Sequence, residues 1–299
     1  VFLWWFSFQD HRLIPTGQRG NDIAGVSQMG DRVGLARCHT TTLEHESLAC
    51  SRAMKILVAP DSFKGALSAT KVAESLASGI EASGHGHSVW KRPLADGGEG
   101  SLDVVLSAGF TKHQAGVVDA FGAPQHASYA LKDGHVFVEA AQAFGFVPDA
   151  TPEQAVSASS FGLGLLIADA LTHNPHTVTV GVGGTAGTDA GVGALRALGW
   201  QFLDSAGDPV RLGGRGLAEI AEVRSPEPGD PVWSITWRVI TDVVNPLVGP
   251  TGAAHVFALQ KGADEEAVLL LDQGLRSFAG LWNDGLSHVP GSGAGGGLA

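Results

Sequence analysis

The chain of 299 residues is poor in the residue types that announce the commonest special architectures. It has only two cysteines, Cys38 and Cys50, both within the first fifty residues, so no disulfide framework holds the main body together. Only 16% of residues are charged and the net charge is −11, which argues against nucleic acid or an anionic membrane as the main partner. A local pocket can still be positive on an acidic protein, so an anionic substrate stays open. No apolar run reads as long enough to span a bilayer, and the compartment expected is cytoplasmic. The twelve histidines form no HxxxH or HExxH pair, there is no GxSxG elbow, and no GxxxxGK[ST] loop occurs. Zinc hydrolysis, serine hydrolysis of that type and a Walker A nucleotide site are thereby disfavoured.

What the chain has in abundance is apolar residues, 44%, and glycine, 42 residues. That is enough for a substantial core in one large or two smaller domains. Residues 1–53 show no sustained period of two or 3.6 and are expected to be an extension, disordered and foreign to the rest of the chain. At Met54 the character changes to MKILVAPDSF. Strands are expected at 55–59 (buried), 88–92, 114–118, 126–131, 135–140, 178–182 and 235–241, with Asp133-Gly134 as a hairpin turn. Helices are expected after Ser68 with Val72, Leu76 and Ile80 inward, at 101–109, at 161–171, from Val192 to a cap at Gly199, near Gly252, and from Asp264. The last would bury Leu271, Leu275, Phe278 and Trp282. Helices alternate with strands around a hairpin-rich middle, which predicts an α/β protein with a parallel sheet and a mixed-sheet region.

Chemistry-bearing residues gather in glycine-rich loops after predicted strands, where open α/β sheets place their ligands. The stretch VTVGVGGTAGTDAGVGALRALG (178–199) runs strand, glycine turn, helix. Its free N–H groups and helix dipole suit a phosphate at Gly183, Gly184, Thr185 and Thr188. Asp61-Ser62-Phe63-Lys64-Gly65 offers a carboxylate, a hydroxyl and an ammonium. Asp96-Gly97-Gly98-Glu99-Gly100 spaces two carboxylates by glycines. Thr241-Asp242 and Asn245-Pro246 end a strand, and Lys261 follows one helix later. Each cluster alone also fits ordinary turn chemistry. Together they supply what phosphoryl transfer requires: carboxylates for Mg²⁺, donors around phosphates and a base beside a hydroxyl.

Five motifs in register resemble bacterial type I glycerate kinases: MKILVAPDSFKGALSA (54–69), PLADGGEGS (93–101), VGVGGTAGTDAGVGALRALG (180–199), TDVVNPLVGPTGAAHVFALQKGA (241–263) and PGSGAGGG (290–297). The resemblance implies ATP- and Mg²⁺-dependent phosphorylation of D-glycerate, usually at the 2-hydroxyl; the alternatives are a kinase of another small hydroxy acid and a catalytically impaired nucleotide- or anion-binding fragment of that family. It implies two α/β domains, one Rossmann-like with the other inserted: 54–92 opening the Rossmann-like domain, 93–290 the insert and 291–299 the start of the return. By motif, Asp61, Ser62, Asp96, Gly97, Gly98, Glu99 and Asn245 fall to substrate, and Gly183, Gly184, Thr185, Thr188 and Lys261 to ATP phosphates. Lys64 would hold the substrate carboxylate or a phosphate. Of Asp189 and Asp242 one would be the base and the other a metal ligand, which the sequence leaves open. Glu139 matches a carboxylate at a strand end. A homodimer is compatible with the resemblance; oligomeric state is otherwise open. The family usually reads GGSATNDGG where this chain has GGTAGTDAG, so Thr188 replaces an amide and Ala190 a glycine. The family's TGEGRxDxQTxxGK-like continuation does not follow PGSGAGGG, and a truncated C-terminus is expected.

Overall fold

The computed structural model describes residues 4–7, 53–63, 66–282 and 284–299. Lys64 therefore lies outside the described residues, as does most of the 1–53 extension. The principal sheet has six strands. In chain order these are β1 (Trp4–Ser7), β4 (Thr111–Val118), β5 (Pro124–Lys132), β6 (His135–Glu139), β7 (Thr177–Gly181) and β10 (Thr236–Thr241), arranged β1-β10-β7-β6-β5-β4. β10, β7 and β6 run parallel, while β4, β5 and β6 form an antiparallel meander and β1 lies antiparallel on the other edge. The expected hairpin is present: Asp133 and Gly134 both have positive φ, 48° and 72°, as a tight primed turn demands.

Both faces of this sheet are covered. Val136, Val138, Val178 and Val180 point to one side, where α5 (Phe161–Leu171) packs with Leu163, Leu166 and Ile167. Phe137, Ala130 and Ile240 point to the other and meet Leu102, Val105 and Leu106 of α2 (Ser101–Ser107). A further core surrounds α7 (Glu265–Trp282), where Leu271 and Leu275 are fully buried against Leu217, Phe202 and Val192. Asp264 accepts from the Ala267 N–H at 2.9 Å and stops the α7 N-terminus from fraying. A second, smaller sheet pairs β2 (Lys55–Val58) with β3 (Ser88–Lys91) in parallel, joined through α1 (Ala69–Ala82), and a two-stranded ribbon joins β8 (Gln201–Leu203) to β9 (Glu222–Arg224). The α/β class with separate sheets agrees with expectation.

Several readings need correction. β2 is mostly exposed, with only Val58 buried, because nothing among the described residues covers its outer face. α1 turns Ala69, Val72, Ala73 and Ala77 inward, which rotates Leu76 into solvent at 50% exposure. Trp282 is 41% exposed at the end of its stripe. The helix near Gly252 is a short π turn, Ala254–Ala258, continued as 3₁₀. Pro152–Leu171 does reach membrane-spanning length and hydropathy, yet 61% of that stretch is buried in the protein. It is two helices, α4 (Pro152–Ser157) and α5, that form core. α3 (Ala141–Phe144), α4 and the β8–β9 ribbon were not anticipated.

Candidate functional site

Parallel pairing sets three strand ends level: Gly181 of β7 stands opposite Glu139 of β6 and opposite Ile240 of β10. Over this row folds the loop of residues 96–100, and glycine makes the approach possible. A Cβ on Gly97 would lie 2.5 Å from the Ile240 carbonyl oxygen, one on Gly181 2.6 Å from the Gly97 oxygen, and one on Gly183 2.6 Å from the Gly98 Cα. In their absence the Gly183 N–H donates to Gly97 O at 3.0 Å, joining two motifs that are more than eighty residues apart. Asp96 accepts from the Gly98 N–H at 2.8 Å, and the Ser101 hydroxyl donates to Gly98 O at 2.6 Å. Glu139, 1% exposed, accepts from the Leu102 N–H at 2.8 Å and so caps α2 from across the sheet. Burial pushes its carboxyl above the usual range, against the pull of that N–H and of Gln142. Glu99 remains exposed beside this anchored frame.

The glycine turn after β7 is held from beneath. Gly184, with φ of 67°, is exposed at its crest, and its carbonyl accepts from the Phe146 N–H at 2.8 Å. Lys261 is buried at 6% exposure and donates to Gly187 O at 2.6 Å and to the Thr185 hydroxyl at 3.3 Å. Burial pulls its ammonium down to about 8, opposed by the nearby Asp189 carboxylate. The Thr188 hydroxyl is buried and has no hydrogen-bond partner among the described residues. Asp189 is 0% exposed. Its carboxylate accepts from the Ser160 N–H and hydroxyl, both at 2.8 Å, and from the N–H groups of Gly191 and Gly193 at 3.1 and 3.3 Å. It thereby caps α6 (Val192–Ala197), whose N-terminal residue Gly191 has no side chain to do so, and ties it to the start of α5. Burial raises its carboxyl above the ordinary value while those four donors hold it down.

Asp242 is exposed immediately beyond β10, two residues past the Ile240 that Gly97 and Val182 both touch. Asn245 does not face the loops: its amide donates to Thr251 O at 2.9 Å, and its carbonyl accepts from the Gly293 N–H at 2.9 Å. The segment 290–297 closes the back of the glycine turn, with Gly296 O accepting from the Ala190 N–H at 3.1 Å. Asp61 and Ser62 stand on the loop after β2, where Asp61 accepts from the Ser62 N–H at 2.6 Å. Their loop is tied to the 92–97 segment through Leu94 N–H to Pro60 O at 2.9 Å. Among the described residues no group of three or more His, Cys, Asp or Glu converges. The predicted residues thus form a contiguous frame from Asp96–Glu99 to Thr185, Lys261 and Asp242, with Asp61 and Ser62 at its border. Sequence reasoning missed Ser160 and Ser101: Ser160 meets Asp189 across 29 residues, which no spacing reveals, whereas Ser101 bonds Gly97 and Gly98 within its own loop.

The sequence matches the glycerate kinase family over residues 56–299. The chain belongs to the glycerate kinase family. It is 35% identical over 255 residues to the glycerate 2-kinase of Escherichia coli K12 and, over the same length, 35% identical to the glycerate kinase of Bacillus subtilis 168. Each alignment covers 82% of this chain and 66% of the relative, so the chain spans about two thirds of the length of the curated relatives it matches. A crystal structure of a Salmonella typhimurium LT2 protein described as a glycerate kinase 2 superposes with a TM-score of 0.75 at 34% identity, covering 83% of this chain and 68% of the other. The chain shares with that structure a mixed α/β fold.

Proposed function

We propose that the site framed by the 96–100 loop and the glycine turn transfers the γ-phosphoryl group of ATP to the 2-hydroxyl of D-glycerate. The observation that carries this reading is the backbone stacking of Gly97 and Gly98 on Gly181 and Gly183. It sets an acidic loop and a phosphate-suited turn against each other at the ends of parallel strands. The exposed crest at Gly184, with the Thr185 and Thr188 hydroxyls, would receive ATP phosphates; Lys261 would compensate their charge from beneath. The unpartnered Thr188 hydroxyl supports an oxygen-rich ligand there. Glu99, Asp96, Asp61, Ser62 and Lys64 would meet glycerate.

Of the two aspartates the family motif brings forward, Asp242 is the better base, since it is exposed just beyond β10 whereas Asp189 is enclosed by four donors. In the reaction the glycerate hydroxyl gives its proton to the Asp242 carboxylate, its oxygen bonds to the γ-phosphorus, and the bond from that phosphorus to the ADP oxygen breaks. Asp189 acts as a positioning residue, fixing the turn that receives the phosphates. The exposed carboxylate of Glu99 and the half-buried one of Asp96 would hold Mg²⁺, which takes one or two carboxylates and completes its shell with water and phosphate oxygens. When bound, it would neutralise charge on the β- and γ-phosphates. A cytoplasmic location suits both substrates. The test is glycerate-dependent ADP release, with the product identified as 2-phosphoglycerate. ADP release that ignores glycerate would overturn the reading.

A further inference from the structure

On the far side of the Asp189 staple lies a cleft of about 560 Å³, bounded by the turn at Asp119–Gly122, by Ser157 and Ser159 ahead of α5, and by Arg211 and Arg215. None of its residues belongs to the site above. We propose that this cleft is a second anion site, for a small phosphorylated or carboxylated acid, that bears on the glycine turn from behind.

Its charge is the first argument. Two arginines line it against a single carboxylate, Asp119, whose Oδ1 already accepts from the Phe121 and Ala123 N–H groups at 2.8 and 2.9 Å. The acids facing the arginines from neighbouring elements are Glu219, bonded to Arg211, and Glu153, bonded to Arg215. Both pairs are solvent-accessible, with Glu153 at 71% and Arg211 at 63% exposure, and Arg211 holds Glu219 through both Nε and Nη2. An incoming dianion must displace both glutamates. The second argument is an unexplained donor. Arg215 Nε is buried and has no hydrogen-bond partner among the described residues. Buried donors are almost always satisfied, and an Arg edge is shaped for a carboxylate or phosphate oxygen.

The cleft is also mechanically joined to the turn. A Cβ on Gly213 would fall 2.5 Å from Ser157 O, and Gly214 packs its backbone directly on the Thr188 carbonyl. Ser159 adjoins Ser160, the residue that donates twice to Asp189. A ligand gripping Arg211, Arg215 and Ser159 therefore touches the supports of the glycine turn without entering it. The inference does not rest on the kinase reading.

Calorimetric titration of the full chain with inorganic phosphate and, separately, with citrate tests it. Saturable binding of one or both is expected, showing whether a phosphate or a carboxylate is preferred. Binding is expected to weaken about tenfold or more in Arg211→Gln and in Arg215→Gln, and to persist in Lys261→Met. Arg211 is exposed, so its variant keeps the fold and decides the matter even if Arg215→Gln does not. No saturable binding of either anion, binding indifferent to Arg211→Gln, or binding lost only with Lys261→Met would overturn the proposal.

Discussion

The six-stranded sheet and the β2–α1–β3 unit are built from similar elements but do opposite things with their side chains. In the sheet, β7 is buried at every position and helices cover both faces. In the small unit Leu57, Leu76 and Trp90 are 60%, 50% and 52% exposed. The glycines differ in the same way. Those at 97, 181 and 183 stand where no Cβ fits, whereas Gly79 in α1 has open space around it. Close backbone contact of this kind runs through the main body, the loops of the proposed chemistry included, and the small unit contributes its Asp61 loop to the border of that region from a loosely packed base.

The sharpest way to break this contrast is to add one methyl group on each side. Gly183→Ala should cost about 3 kcal/mol or more in urea unfolding, because backbone at 2.6 Å must move. Gly79→Ala should instead stabilise by about 0.5–1 kcal/mol, as expected for an open helical site. Next in size is Asp189→Ala, which leaves four donors buried and should cost about 3 kcal/mol, with Asp189→Asn recovering part of it. Asp242→Asn, at an exposed position, should change stability by less than about 0.5 kcal/mol.

A pH series tests the buried ammonium. Lys261 is drawn from an ordinary value of 10.5 down to about 8. Between those values the unfolded chain holds the proton that the folded chain has lost, so Lys261 makes stability rise with pH across that window. ATP affinity should fall over the same range, because the phosphates lose their buried cation. Lys261→Met should abolish both trends; parallel changes in the variant would show that another group titrates. The smallest effect concerns Ala190, which holds φ of 53° where the family usually has glycine. The left-handed cost of a side chain slightly exceeds the entropy that glycine loses, so Ala190→Gly should stabilise by about 0.5 kcal/mol.

The contrast also explains what could be read beforehand. β6, β7 and β10 were legible because β-branched and apolar residues clustered there ahead of a glycine or an acid. The hairpin at Asp133-Gly134 and the cap at Gly199 were legible because turn geometry demands those residues. Leu76 and Trp282 were misplaced because a helical stripe shows which residues share a face, not what lies opposite it. The capping box at Thr151, which starts α4, was present in the sequence and overlooked. Lys261 meets Thr185 across 76 residues and Asp189 meets Ser160 across 29. Local pattern carries no information about such pairings; for Lys261, family resemblance alone pointed to the phosphates. That Asp189 is enclosed and Asp242 exposed turned on burial, which only folding fixes.

The most direct test of the central claim is glycerate-dependent ADP release measured for the chain and for Asp242→Asn side by side. Loss of the base predicts turnover falling about 10²–10⁴-fold with ATP binding and unfolding unchanged. Asp242→Asn turning over glycerate at the unsubstituted rate would contradict the placement of the reaction at the end of β10.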